Sequence, residues 1–486
     1  MRDILEKVTF MNKWHADKVA INYRDEVITY GELDLYSNKL ATLIKGSGKP
    51  IVLYGHMSPY MIVGMIASMK AGIGYVPIDT SIPLERIEHI IDKVEPVFIL
   101  NTTGNLLNNL HVKQITIEEI LAVESVDQDF KRITDKDIVY TIFTSGSTGF
   151  PKGVQIRYES LVDFTEWMLE LNQIGEHRMW LNQAPFSFDL SVMAIYPCLM
   201  TGGTLQLVDK KMIEKPKQLY ELLEHKAVES WVSTPSFLEM CLLLPNFNET
   251  HYPKLKQFFF CGEILSHKTA QKLHDLFTTS TIYNTYGPTE ATVAVTSIQI
   301  TQEILDQFKP LPIGKVRPNS ELKLTDEGEL IIIGKSVSQG YLKDEEKHNK
   351  VFKIIDGQLN YHTGDKATYR DGYWFINGRI DFQIKINGYR MELEEIESVL
   401  EHLPDVKQAV ISPIKQGEKI QYLHATIVPI ADVLASENDM TMHLKHELKL
   451  HLPEYMIPRK FSYAKQLPLT ANGKLDRNKV LERLNS

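Results

Sequence analysis

The sequence predicts an α/β fold in two parts, a large N-terminal domain over residues 1–380 and a smaller α+β domain over residues 381–486. Strand-like apolar runs alternate with amphipathic helical patterns along most of the chain, which is typical of parallel α/β layers. From about Gly328 the pattern changes to short β-type runs with glycine turns, and a new set of helices and strands begins after Asp381. A chain of 486 residues also exceeds one ordinary hydrophobic core, so at least two domains are expected.

The N-terminal elements follow in order from the spacing of apolar residues. VAINYR and EVITY read as paired strands, and a helix with apolar residues three or four apart follows until Gly46. A helix around Met61–Met69 is apolar on every side and too short to span a bilayer, so we expect it to be buried. The strand–helix pattern then recurs at 159–172, 231–244 and 254–266.

The C-terminal part reads as a compact α+β unit. We expect a helix at 391–403, strands at 407–414 and 419–430, and a helix at 440–452. The glycine and the charged residues of GRIDFQ, around Asp381, suit a hinge, although a plain hairpin turn would have a similar sequence.

Composition and charge argue against several classes of protein. The net charge of −9 disfavours a nucleic-acid-binding surface. The first residues contain no apolar run long enough for a signal peptide, and no window is long enough to insert in a membrane. The three cysteines lie too far apart for a disulfide framework or a zinc site. We therefore expect a protein of the reducing cytoplasm.

The stretch FTSGSTGFPKGV, residues 143–154, is rich in glycine and hydroxyl side chains. The N–H groups of such a loop can form an anion-binding concavity, and Ser, Thr and Lys add donors, which favours phosphate. The P-loop pattern does not fit, because Lys152 does not follow a glycine and the loop leads into a strand. A glycine- and serine-rich surface turn is the simpler alternative.

Five motifs occur along the chain in a fixed order: FTSGSTGFPKGV, NTYGPTEAT from Asn284, YHTGD from Tyr361, GRIDFQIKINGYRMELEEIE from Gly378 and LTANGKLDR from Leu469. Together they resemble the adenylate-forming ligase superfamily, and in particular its amino-acid-activating branch related to nonribosomal peptide synthetases. The resemblance implies a multi-layer N-terminal domain with a distorted β-barrel subdomain. It also implies a mobile C-terminal domain that rotates about Asp381, with ATP and Mg²⁺ as cofactors.

The resemblance assigns roles to the predicted ATP-binding residues. The ring of Tyr286 can stack on adenine, Thr289 can donate to the α-phosphate, and Glu290 can bind Mg²⁺. Asp365 can accept from both ribose hydroxyls and Arg379 can donate to ribose or phosphate, although a turn residue and a structural ion pair are the simpler readings. The resemblance implies that Thr144, Ser145, Thr148 and Lys152 hold the β- and γ-phosphates of ATP. The full set of residues implied to bind ATP is Thr144, Ser145, Thr148, Lys152, Asn284, Thr285, Tyr286, Gly287, Pro288, Thr289, Asp365, Arg379 and Lys474.

The same resemblance implies the substrate-binding residues. Lys474 is the implied catalytic residue, which bridges the substrate carboxylate and the α-phosphate. Asp189, in APFSFDLSV, is expected to pair with the α-ammonium of an amino acid, since charges about 4 Å apart attract by ~4 kcal/mol at an intermediate dielectric. Cys261, where many relatives have glycine, and Val293 are expected to line the side-chain pocket. The alternative for Asp189 is a strand-end or helix-capping residue.

The acceptor is expected to be a separate carrier protein. The chain continues for nine residues after Arg477 and contains no carrier domain and no attachment serine. This free-standing form resembles the D-alanine–carrier protein ligases, which load D-alanine for esterification of teichoic acids. Residues 453–486 contain seven basic and three acidic residues, so we expect an acidic carrier with a phosphopantetheine arm to bind there.

Three other interpretations remain open from the sequence: a ligase for another small amino acid, an acyl-CoA ligase, and an inactive nucleotide-binding scaffold. Asp189 argues against the acyl-CoA ligase, because a fatty acid or acetate would leave its charge unpaired in a closed pocket. The presence of Lys474, Asp365 and Glu290 argues against an inactive scaffold.

Overall fold

The computed structural model describes residues 3–108, 110–127, 129–146, 150–173, 175–355, 357–417, 419–430, 436–468 and 475–485. The chain forms two compact units. The larger unit consists of Met1–Asp79, Lys93–Ile142 and Gly153–Ile380, and the smaller unit of Thr80–Asp92, Phe143–Lys152 and Asp381–Ser486. Two short internal segments therefore pack with the C-terminal residues, and the domain boundary near Asp381 stays a prediction.

The secondary structure alternates between helices and strands in the larger unit. The helices of the described residues are α1 (Ile4–Trp14), α2 (Tyr30–Ile44), α3 (Pro59–Lys70), α4 (Leu84–Val94), α5 (Ile117–Leu121), α6 (Tyr158–Leu171), α7 (Val192–Met200), α8 (Lys210–Ile213), α9 (Pro216–His225), α10 (Pro235–Cys241), α11 (His267–Leu276), α12 (Gln302–Gln307), α13 (Glu345–Val351), α14 (Leu393–Glu401), α15 (Glu437–His451) and α16 (Arg477–Asn485). Short 3₁₀ helices cover Asp189–Ser191, Thr289–Ala291 and Glu454–Met456.

The strands of the described residues are β1 (Val19–Tyr23), β2 (Glu26–Thr29), β3 (Ile51–Tyr54), β4 (Tyr75–Ile78), β5 (Phe98–Asn101), β6 (Lys113–Ile115), β7 (Ile138–Thr144), β8 (Lys152–Arg157), β9 (Met179–Asn182), β10 (Thr204–Leu207), β11 (Ser230–Ser233), β12 (Gln257–Phe260), β13 (Thr281–Tyr286), β14 (Thr296–Gln299), β15 (Lys315–Val316), β16 (Ser320–Leu324), β17 (Glu329–Gly334), β18 (Gly340–Tyr341), β19 (Phe352–Ile355), β20 (Gln358–Arg370), β21 (Tyr373–Arg379), β22 (Gln383–Ile386), β23 (Tyr389–Glu392), β24 (Val406–Gln416), β25 (Lys419–Pro429) and β26 (Lys460–Tyr463).

Two large sheets form the core of the larger unit. One has the strand order β15-β14-β13-β12-β11-β9-β10-β1-β2, and the other has the order β18-β8-β7-β4-β3-β5-β6. The central pairs of both sheets are parallel, as the alternation of strands and helices predicts. Because carboxyl ends of parallel strands meet at one edge, the residues that follow β9, β12 and β13 lie along the same edge of the first sheet.

The apolar helix predicted around Met61–Met69 is confirmed as a buried element. Every residue of α3 except Tyr60 is buried, which explains why it lacks a polar face. Its start is fixed by Ser58, whose side chain accepts from the backbone N–H of Tyr60, and by Pro59 at the first helical position. None of the helices within the described ranges is long and apolar enough to cross a membrane.

An antiparallel sheet follows where the sequence changes to short β-type runs. Its strands are ordered β16-β17-β20-β19, and β21 pairs with β20. This is the region in which the resemblance implied a β-barrel subdomain. The pairing of β20 with β21 sets Asp365 directly opposite Arg379.

The C-terminal segment of the smaller unit contains the β22–β23 hairpin, the three-stranded sheet β24-β25-β26 and the helices α14, α15 and α16. The predicted helix at 391–403 was wrong at its start, because Met391 and Glu392 pair with Ile384 and Gln383 in the hairpin. The helix therefore begins at Leu393.

Candidate active site

Asp365 lies between two other predicted nucleoside-binding residues of the larger unit. The phenol of Tyr286 donates to its Oδ2 at 2.5 Å, and Nη1 of Arg379 donates to its Oδ1 at 2.9 Å. Tyr286 is the last residue of β13, and Arg379 ends β21. Each carboxylate oxygen has two acceptor sites, so one donor on each leaves capacity for the two hydroxyls of a ribose.

The Tyr286 phenol is a permanent donor in this arrangement. Burial raises the pKa of Tyr286 well above its ordinary value, and the adjacent charge of Asp365 raises it further. The group therefore keeps its proton at neutral pH and holds the Asp365 carboxylate in one orientation.

Asn284 and Thr285 use their side chains inside the fold. Asn284 Nδ2 donates to the carbonyl of Pro312 at 2.9 Å, and the hydroxyl of Thr285 donates to the carbonyl of Phe260 at 2.8 Å. Both side chains are buried at the carboxyl end of β13. Their predicted contact with ATP stays a prediction, and these bonds show that they also position the turn that follows.

The turn after β13 is held in a strained form. Thr292 and Val293 have φ angles of 56° and 68°, in the left-handed region that β-branched residues rarely adopt. The Thr292 hydroxyl donates to the carbonyl of Ser336 at 2.7 Å. A Cβ atom on Gly287 would lie 2.5 Å from Cα of Ala294, so only glycine permits this close approach. Strain of this kind is typical of functional sites.

The structure brings together Cys261 and Val293, two predicted pocket residues. Cys261 directly follows β12, the parallel neighbour of β13, and its Sγ donates to the carbonyl of Val293 at 3.7 Å. The residue Cys261 is 3% exposed. The strained turn thus presents its backbone to the side chain on which substrate selectivity is predicted to depend.

Asp189 lies at the start of the 3₁₀ helix that leads into α7, on the segment that follows β9. It is half-buried and lies near Tyr140: burial is the main cause that raises the pKa of this phenol, and the charge of Asp189 raises it further. A carboxylate at a helix start is also stabilised by the helix dipole. The residues that cap the 3₁₀ helix and α7 are Phe188 and Ser191, so Asp189 is not a capping residue, and its ammonium-binding role stays a prediction.

Glu290 is the predicted Mg²⁺ ligand and is fully buried. Its Oε1 accepts from the phenol of Tyr341 at 2.8 Å. Within the described ranges, no group of three His, Cys, Asp or Glu residues could hold a metal ion. One carboxylate still fits Mg²⁺, because this ion takes few protein ligands and completes its shell with water and phosphate oxygens. The neighbouring residues Pro288 and Thr289 begin the same short helix.

The phosphate-loop residues Thr144, Ser145 and Lys152 belong to the smaller unit, together with residues 84–92 of α4. Thr144 ends β7 and Lys152 begins β8, so the loop connects two strands, as predicted. Lys152 is buried, and the buried hydroxyl of Thr144 has no hydrogen-bond partner among the described residues. The hydroxyl of Ser145 donates to the carbonyl of Arg390 at 3.1 Å.

Two predicted residues, Thr148 and Lys474, lie outside the described residues. Asp381, the predicted hinge, begins the C-terminal segment of the smaller unit, and its carboxylate accepts from the backbone N–H of Gln383 at 3.2 Å. The roles of these three residues stay predictions.

Sequence reasoning missed two features of these units. One is the ion pair of Arg86 with Glu395, with an N–O distance of 2.6 Å and both side chains buried. The other is the tyrosine cluster near Asp189, where the phenols of Tyr75 and Tyr196 share a hydrogen bond of 2.6 Å. No periodic signal reveals either, since both join residues more than a hundred positions apart.

Comparison with known proteins identifies the family. The family model described as AMP-binding enzyme matches residues 9–342, and the model of the AMP-binding enzyme C-terminal domain matches residues 395–474. Proteins named D-alanine--D-alanyl carrier protein ligase from Staphylococcus aureus, strains Newman and MW2, are each 58% identical to the chain over 485 residues and cover 100% of both chains.

Solved structures share the fold. The Bacillus subtilis o-succinylbenzoate CoA synthetase has a TM-score of 0.85 at 20% identity, with 98% of each chain covered. A Vibrio cholerae adenylation domain in complex with glycyl-adenosine-5'-phosphate has a TM-score of 0.84 at 22% identity, with 100% of this chain and 98% of that chain covered. These matches confirm the predicted fold class. The chain therefore belongs to the AMP-binding enzyme family, in the branch of the D-alanine–D-alanyl carrier protein ligases.

Proposed function

We propose that the protein activates D-alanine with ATP and transfers it to the phosphopantetheine thiol of a separate carrier protein, for D-alanylation of teichoic acids. We also propose that it does so in the cytoplasm. The observation that carries the proposal is the 58% identity over the whole chain to relatives named D-alanine--D-alanyl carrier protein ligase. The arrangement of Tyr286, Asp365 and Arg379 supports it, because it offers a carboxylate to a ribose.

The first half-reaction forms D-alanyl-AMP. A carboxylate oxygen of D-alanine attacks the α-phosphorus of ATP, the bond from this phosphorus to the bridging oxygen breaks, and pyrophosphate leaves. The step needs positioning and charge neutralisation rather than a protein nucleophile. Lys474 holds the two anions together, and Asp189 holds the α-ammonium of the substrate. Glu290 would hold Mg²⁺, which would neutralise charge on the phosphates.

The second half-reaction forms the thioester. The carrier thiol attacks the carbonyl carbon, the bond from this carbon to the AMP oxygen breaks, AMP leaves, and the thiol proton passes to solvent. Rotation about Asp381 removes Lys474 and admits the phosphopantetheine arm. An acidic carrier suits the exposed cations Arg459, Lys460 and Lys465 of the C-terminal segment, which supports this part of the proposal.

Pyrophosphate exchange across D- and L-amino acids tests the proposal. We expect exchange with D-alanine and weaker exchange with L-alanine and glycine. Faster exchange with another amino acid would show that this amino acid, and not D-alanine, is the substrate. Thioester formation from acetate or a fatty acid with coenzyme A would favour an acyl-CoA ligase. No exchange with any substrate would indicate an inactive scaffold. A cytoplasmic location is tested by fractionation of cells that express the full chain.

A further inference from the structure

The glycine-rich loop of the smaller unit is held by C-terminal residues of the same unit. The backbone N–H of Gly146 donates to Oε2 of Glu395 at 3.2 Å, and the hydroxyl of Ser145 donates to the carbonyl of Arg390 at 3.1 Å. Both donors belong to the stretch whose proposed task is to bind the β- and γ-phosphates of ATP. They are therefore occupied by the protein itself.

Glu395 is fixed in this position by a buried cation. Nη2 of Arg86 donates to Oε1 of Glu395 at 2.6 Å, and Nε of Arg86 donates to the carbonyl of His451 at 2.6 Å. The Glu395 side chain has no exposed surface. One carboxylate oxygen thus faces the guanidinium and the other faces the loop, so the ion pair determines the orientation of the acceptor.

Helix α4, which carries Arg86, also contacts the loop directly. The ring of His89, three residues after Arg86, stacks on the ring of Phe150 with 4.4 Å between centroids and 20° between planes. Residues three apart on a helix point to the same side. The described residues on both sides of the loop centre, Gly146 and Phe150, are therefore held by the same face of α4, one through Glu395 and one directly.

A carboxylate that accepts from an N–H group of a glycine-rich loop makes the contact that a phosphate oxygen makes with such loops. We propose that Glu395 is a positioning residue that occupies the phosphate loop in place of the nucleotide, so that ATP and pyrophosphate bind there only after Glu395 has left. The proposal rests on the proposed function, together with the expectation from the sequence that the loop binds the phosphates of ATP.

Occupation of the loop has a consequence for the order of the two half-reactions. Pyrophosphate can reverse the first half-reaction. One of its oxygens attacks the α-phosphorus of D-alanyl-AMP, the D-alanine carboxylate is released, and ATP is formed again. While Glu395 is on the loop, pyrophosphate is excluded and the adenylate is kept for the carrier thiol.

The test compares Glu395→Ala with Glu394→Ala. Glu394 precedes it on α14 and is exposed, so it is a matched control. Titration calorimetry of the full chain with pyrophosphate, and separately with MgATP, should show affinities roughly tenfold higher for E395A, because the charged acceptor of the Gly146 N–H is removed. E394A should bind like the wild type. Reversal of supplied D-alanyl-AMP by pyrophosphate should also be faster in E395A. Equal affinities in E395A and the wild type would overturn the proposal.

A second variant controls for a folding defect, because E395A leaves the Arg86 cation buried without its partner. The double variant Arg86→Gln with Glu395→Gln replaces the ion pair by neutral amides of similar size. It should melt near the wild-type temperature and also bind pyrophosphate more tightly, because an amide oxygen competes less well than a carboxylate. A folded double variant with wild-type affinity would overturn the proposal. Absence of D-alanine-dependent exchange in the wild type would instead reject the proposed function, while the binding comparison would still test Glu395.

Discussion

The phenol of Tyr286 donates a hydrogen bond of 2.5 Å to Asp365, a residue 79 positions later in the chain. The bond joins the end of a strand in the nine-stranded sheet to a strand of the antiparallel sheet. It sets the orientation of the carboxylate that is proposed to bind the ribose.

Removal of this carboxylate should weaken ATP binding selectively. Asp365→Asn turns one acceptor oxygen into a donor, and hydrogen bonds to charged groups contribute about 1.5–3 kcal/mol. We expect the KM for ATP in pyrophosphate exchange to rise about 10-fold or more, with a smaller change for D-alanine. Tyr286→Phe should shift the same constant less, and Tyr283→Phe on the same strand, which loses only a bond from Gln173, should not shift it. Equal effects on both substrates would contradict the ribose role.

Lys474 should be required for one half-reaction only. Lys474→Ala should abolish formation of D-alanyl-AMP, since nothing else would bring the substrate carboxylate and the α-phosphate together. Thioester formation from supplied D-alanyl-AMP should continue. Lys479→Ala is the control, because Lys479 is an exposed residue paired with Asp476. Parallel loss of both half-reactions in K474A would refute this division.

Asp189 should determine the affinity for the amino acid. Loss of one partner of a desolvated charge pair typically costs ~2–5 kcal/mol, so Asp189→Ala should raise the KM for D-alanine far more than the KM for ATP. Asp189→Asn keeps the size of the side chain and removes its charge, so it tests the charge alone. Wild-type kinetics in D189N would mean that the charge of Asp189 does not bind the substrate ammonium.

Cys261 should contribute to selection of the D isomer. With the ammonium and the carboxylate fixed, D- and L-alanine differ by exchange of a hydrogen and a methyl group, and the Cys261 side chain fills the space of the wrong methyl. One methyl group is worth only ~1–3 kcal/mol, or roughly 10–200-fold. Cys261→Ala should therefore lower the D/L ratio of kcat/KM and keep most D-alanine activity. Cys241→Ala removes another buried thiol and should leave the ratio unchanged. An unaltered ratio in C261A would make Cys261 a packing residue.

Gly287 should be indispensable for the strained turn. In Gly287→Ala the new Cβ would lie 2.5 Å from Cα of Ala294 and 2.8 Å from the carbonyl oxygen of Val293, and backbone atoms cannot move aside cheaply. Overpacking of this kind typically costs about 1–3 kcal/mol, so we expect a lower Tm and, because Val293 is displaced, a higher KM for D-alanine. An unchanged Tm together with an unchanged KM would show that the turn tolerates a side chain.

The sequence by itself determined which segments form helices and strands and which chemical groups are available to bind a ligand. Alternating periodicities specified the α/β layers and the buried α3, and the loop between β7 and β8 was distinguished from a P-loop because no helix follows it. The motif order indicated the residue types available for phosphate, ribose and ammonium. These are local properties, set by side-chain spacing and by the conformational range of glycine.

Only the tertiary structure decided how those residues meet. Asp365, in the interior of β20, accepts from Tyr286 and Arg379 because the ends of β13 and β21 lie beside it. Glu395 reaches Gly146 across 249 positions of sequence. The left-handed φ angles of Thr292 and Val293 arise in the same way, since the surrounding bonds and the close approach of Gly287 outweigh the local preference of β-branched residues. Such contacts depend on which surfaces are buried against each other, and this is a property of the whole chain that no short stretch of sequence encodes.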